Sequence, residues 1–128
     1  MKRALLLILL ILAIPATISI AQTLCTQSAV ISVTAGSTGE IVPLELGRTV
    51  QVCSWTITGN TAVTGAQWQT GTGTTCGTGT ANKSGVMLMP VTGSISSPVT
   101  FQGTQGAAVC LAATTGAVTG IANYRYIN

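Results

Sequence analysis

The sequence predicts an all-β protein: one small β-sandwich, jelly-roll-like with about eight strands and two disulfides, preceded by a helical signal peptide. Three observations lead there. From Ser28 onward, short runs rich in Val, Ile and Thr recur roughly every ten residues between Gly, Thr, Ser and Asn turns, the spacing of sandwiches and barrels. Four cysteines, Cys25, Cys53, Cys76 and Cys110, all follow an apolar leader, which reads as two disulfides formed in an oxidising compartment. The chain is 47% hydrophobic and only 5% charged, a balance that favours a packed interior over disorder.

The amino terminus opens with Lys2 and Arg3, followed by an unbroken apolar run from Ala4 to Ile14. A basic start and a short apolar core describe a signal peptide, and the run is shorter than the ~20 residues that span a bilayer. Pro15 ends it, and Ser19-Ile20-Ala21 places small residues where signal peptidase requires them, so cleavage is expected after Ala21. Acylation at Cys25 is not expected, because Leu24 stands where a small residue would be needed. Residues 1–21 are thus the signal peptide and 22–128 one sandwich domain, with no membrane association after cleavage.

The elements follow in order. Ala29–Thr34 and Glu40–Leu46 are the first two strands, and Pro43 marks the second as an edge or a bulge. Thr49–Thr58 reads as a central strand, alternation placing Cys53, Trp55 and Ile57 on one face and Val50, Val52 and Ser54 on the other. Gly59-Asn60 begins a turn, and Ala62–Thr70 returns as the second arm of a hairpin, with Ala66 and Trp68 opposite Gln67 and Gln69. The Gly-Thr stretch from Thr70 to Thr80 is expected to hold no regular structure, with Cys76 pinning it. Gly85–Val91, Val99–Gln102, Ala107–Ala113 and Ala117–Ile127 complete the set. Branched Cβ atoms lose rotamer freedom in helices and pack well on a pleated sheet, which is why these runs read as strands.

The cysteines are widely separated and the chain has no histidine, so zinc is a poor reading and no metal site is expected. Three pairings are possible. Cys25–Cys76 with Cys53–Cys110 is the preferred one, since Cys53 and Cys110 lie in apolar runs that could face each other across a core.

The same inventory narrows the chemistry. With neither His nor Asp, the usual proton-transfer groups and triads are missing, so no catalytic residue and no cofactor are expected. Glu40 and Glu45 stand five apart on an extended segment, hence on opposite faces, and read as edge charges that discourage aggregation. Beyond the leader, Arg48, Lys83 and Arg125 are the only cations, too few and too scattered for nucleic acid. The loop around Cys76 lacks the Gly-Lys-Ser/Thr ending of a phosphate cradle, and its Thr-x-Thr spacing does not repeat along the chain as an ice-binding face would require. Asn82-Lys83-Ser84 matches a glycosylation triplet, and Asn82 is read as a loop residue.

Trp68, between two glutamines, and Tyr124 and Tyr126, alternating around Arg125, are the candidate ligand-binding residues, each a ring beside hydrogen-bonding groups as at glycan sites. The closing segment Gly120-Ile121-Ala122-Asn123-Tyr124-Arg125-Tyr126, with the leader and the Thr-rich disulfide domain, resembles subunits of bacterial surface fibres. Small sandwich subunits that decorate phage virions are similar in architecture. The function expected is that of a secreted or extracytoplasmic structural protein, in the periplasm, on the cell surface or on a virion, forming a homo-oligomer or joining a larger assembly. A carbohydrate-binding module with a glycan as partner is the alternative.

Overall fold

The computed structural model describes residues 25–60, 64–89, 94–97 and 101–128. The expected signal peptide and its cleavage point lie outside these. The described residues form ten strands: β1 Gln27–Val33, β2 Thr38–Val42, β3 Thr49–Gly59, β4 Thr64–Thr72, β5 Thr78–Asn82, β6 Met87–Met89, β7 Ser94–Ser97, β8 Phe101–Gln102, β9 Ala108–Ala113 and β10 Val118–Ile127. A three-residue 3₁₀ turn, Thr74–Cys76, joins β4 to β5.

The strands form two five-stranded antiparallel sheets. Sheet A runs β1-β10-β3-β7 with β8 also on β3, and sheet B runs β2-β9-β4-β5 with β6 also on β4. Counting the broken pairs β5/β6 and β7/β8 as one position each gives eight positions, of which the first pairs with the last, the second with the seventh, the third with the sixth and the fourth with the fifth. That is one long hairpin rolled into two layers, the jelly roll expected from the sequence.

Inward side chains of both layers make one core. Ile31 and Val33 of β1, Val50, Val52, Trp55 and Ile57 of β3, Ala66 and Trp68 of β4, Val109 and Leu111 of β9, and Val118 and Ala122 of β10 are all buried. Trp68 of sheet B meets Trp55 and Phe101 of sheet A, with ring centroids 6.0 and 5.5 Å apart. Each tilted pair adds about 0.5–1.5 kcal/mol to the burial itself. β10 is central and carries small inward residues, and at Gly120 it approaches β3 so closely that a Cβ would collide with the Thr56 carbonyl oxygen.

Four expectations are corrected. Simple alternation fails in β3, because Asn123 pairs with Ser54 and Tyr124 with Val52, leaving Cys53 as an extra residue in a bulge. Val52 and Trp55 therefore both point inward, and Cys53 leaves the face assigned to Trp55 and Ile57. β3 and β4 are not a hairpin: they belong to different sheets, and Asn60 instead bonds back to Ala117 through its backbone N–H and its side-chain oxygen. The disulfides are Cys25–Cys53 and Cys76–Cys110, with Cα separations of 6.1 and 6.3 Å. Cys53 lies on the outside of sheet A and Cys110 on the outside of sheet B, so two packed layers separate them. Finally, the Gly-Thr stretch is partly regular, since Thr70–Thr72 extends β4 and Thr78 onward forms β5. Asn82 ends that strand.

Candidate functional site

The aromatic candidates come out on the inner side of the sandwich. Trp68 is 1% exposed and offers no ring face to solvent; its indole Nε1 is the one buried side-chain polar atom without a partner among the described residues. Tyr124 and Tyr126 pair in register with Val52 and Val50, are half-buried, and pack edge to face at 5.7 Å against the end of the core. The Tyr126 hydroxyl donates to the Pro43 carbonyl at 2.8 Å. Burial pushes this phenol above its ordinary value of 10.0, reinforced by Tyr124, Glu45 and Glu40, while Arg48 opposes the shift. The structure brings the two tyrosines together and keeps Trp68 apart from them, so the three do not make one platform.

Glu40 is exposed on edge strand β2, and Glu45 lies in the following loop, 3.5 Å from Arg48. Among the described residues, no three His, Cys, Asp or Glu side chains converge as a metal site would need.

One end of the outer surface of sheet B is covered. Ala108 and Cys110 of β9 point away from the core yet are fully buried, because Cys76 and its loop fold back over them and the Cys76–Cys110 bridge fixes the loop there. Gly71 of β4 makes room: a Cβ there would come within 3 Å of the Cys76 backbone oxygen and Cβ. Thr75 and Cys76 hold left-handed backbone angles, φ 51° and 59°, unfavourable for a branched residue and fixed by the bridge and by the Thr80 hydroxyl donating to the Cys76 carbonyl.

The outer surface of sheet A is open. Ser28, Val30 and Ser32 of β1, Thr119, Ile121 and Asn123 of β10, and Thr56 and Thr58 of β3 alternate outward from inward-facing Val, Ile, Trp and Ala. Ser28, Thr56, Thr58, Thr119, Ile121 and Asn123 line a shallow groove of about 600 Å³. Its polar groups are partly tied to one another: the Ser28 hydroxyl donates to Asn123 Oδ1 at 2.7 Å, and Asn123 Nδ2 donates to Ser54 Oγ at 3.0 Å, linking three strands. Val30 and Ile121, 79% and 52% exposed, stand side by side in register, Val30 on the edge strand and Ile121 on an inner one. At the far end, Arg125 Nε donates to Gln51 Oε1 at 2.6 Å.

This face escaped the sequence reading, although the signal was there. In β1 and β10, hydroxyl, amide and exposed aliphatic side chains alternate with core residues, which identifies the outer face once the two strands are known to be neighbours. The face thus sets two exposed branched apolar side chains beside hydroxyls and amides, with no carboxylate among these residues. The chain matches no protein-family model, no curated protein and no solved structure.

Proposed function

We propose that this protein is an exported structural subunit, and that it joins copies of itself or a larger extracytoplasmic assembly through sheet A. The carrying observation is sheet A: a charge-poor outer surface with exposed Ile121 on an inner strand and exposed Val30 beside it on the edge strand, while the loop at Cys76 closes one end of the equivalent face of sheet B. Two disulfides fit an oxidising compartment, and they make a rigid unit of a small domain. The chain supplies neither histidine nor aspartate for proton transfer, which supports a non-enzymatic role.

The test is size-exclusion chromatography with light scattering on the exported, oxidised protein over a wide concentration range. Masses above the monomer are expected, and a strict monomer at high concentration would count decisively against assembly from copies. A glycan array distinguishes the alternative: saturable binding of an oligosaccharide, lost on Thr56→Ala and Asn123→Ala, would replace a structural role with a carbohydrate-binding one.

A further inference from the structure

The sandwich has four sheet edges, and they are not equivalent. β2 is interrupted by a bulge at Ile41, carries the exposed Glu40 and runs directly into Pro43. The β5/β6 edge is broken between Asn82 and Met87 by a segment containing Lys83, and β5 is itself bulged. The β7/β8 edge consists of pieces of four and two residues. Charges, bulges and breaks of this kind are the devices by which sheet edges avoid unwanted pairing.

β1 has none of them. It pairs with β10 over all seven residues from Gln27 to Val33 without a register shift, and it contains no charge, proline or glycine. Among the described residues its other side has no strand partner in sheet A. We infer that the free edge of β1 takes β1 of a second copy, antiparallel about a two-fold axis at Val30, joining the two A sheets into one.

The residues support that pairing over others. Ser28-Ala29-Val30-Ile31-Ser32 is close to a palindrome, so the two-fold register sets Ser28 against Ser32 of the partner subunit and Val30 against Val30 of the partner subunit. Ser28, Val30 and Ser32 are all exposed, so nothing inward must move. The joined surface would carry a continuous apolar row, Ile121 and Val30 of each copy, flanked by hydroxyls, as cross-strand pairing favours. With no charge on the strand, identical edges meet without repulsion, whereas copies meeting at β2 would bring Glu40 towards its equivalent. Seven residues added antiparallel give about six to eight backbone hydrogen bonds, and a self-complementary strand satisfies the geometry of a closed dimer.

This inference rests on the assembly reading above, and the experiment separates the two. Self-association of the oxidised protein is compared with that of Val30→Lys and Ile121→Lys, with circular dichroism confirming that both variants fold. Hydrogen exchange is followed in the wild type above and below the association range. Expected are at least a tenfold weakening for Val30→Lys, which sets like charges opposite each other, less than a threefold change for Ile121→Lys, and new protection confined to β1 amides. Equal losses in both variants, no loss in Val30→Lys, or protection at another edge would overturn the β1 edge while leaving assembly intact. A monomer at every concentration would overturn both.

Discussion

The outer faces of the two sheets are built from similarly charge-poor strands, yet on sheet B a loop closes one end while on sheet A Val30 and Ile121 stand open to solvent. On sheet B the outward residues of β9 are small, Ala108 and Cys110, and Gly71 lies beside them, so the loop from Gly73 to Gly77 can settle on the sheet and be bonded to it. On sheet A the outward residues are Val30, Ile121, Asn123 and hydroxyl-bearing side chains, which are larger and stand around a shallow groove that is left open. The two disulfides differ in the same way. Cys76–Cys110 holds a cover down, whereas Cys25–Cys53 reaches from ahead of β1 over β10 to β3 and binds strands within one layer. Side-chain size, more than polarity, separates a surface that is covered from one that remains available.

The largest effect expected from breaking this contrast is at the cover. Replacing Cys76 and Cys110 together by Ala should cost about 3–4 kcal/mol of stability, measured by denaturant unfolding. It should also release residues 73–80 to fast hydrogen exchange while β1 and β10 exchange as before. Next comes Gly120→Ala, which forces β10 away from β3 backbone to backbone; a loss of about 2–3 kcal/mol is expected, with increased exchange across sheet A and little change at Cys76.

A matched pair sharpens the contrast further. Ala108→Val under the cover should destabilise by about 1–3 kcal/mol through overpacking, while Val30→Thr on the open face should stay within about 0.5 kcal/mol. Similar values for the two would mean that the faces do not differ in packing. The smallest effect is at the sandwich end. Because the folded Tyr126 phenol holds its proton more tightly than the unfolded one, its contribution is complete below pH 10.0 and is lost as pH rises through the folded value. Unfolding across this alkaline range should show a decline that Tyr126→Phe reduces.

Most of the fold was legible because turn residues and branched runs alternate regularly, and these directly report strands buried on one side. What was not legible depended on non-local geometry. The bulge at Cys53 inverts the alternation and has no local sequence mark, and this misdirected both the face assignment and the cysteine pairing. β5 was hidden because its Gly and Thr residues, fully exposed, gain order from β4 and not from burial. The hairpin between β3 and β4 was expected because adjacent strands usually pair, whereas here the chain changes layers at Asn60. Ser28, Thr56, Ile121 and Asn123 became a site only when β10 was found between β1 and β3.

That position has a further consequence. β10 follows the other described strands in chain order and is one of the two innermost strands of sheet A, with Ser28 and Asn123 bonded across 95 residues of sequence. Until it arrives, β1 and β3 flank an empty slot, so sheet A closes only after β10 has emerged. Topologies dominated by such distant pairings fold in milliseconds to seconds. Cys25 and Cys53 both precede the slot's final occupant and can be joined while it is still missing, which would hold the two flanking strands at the right separation to receive it.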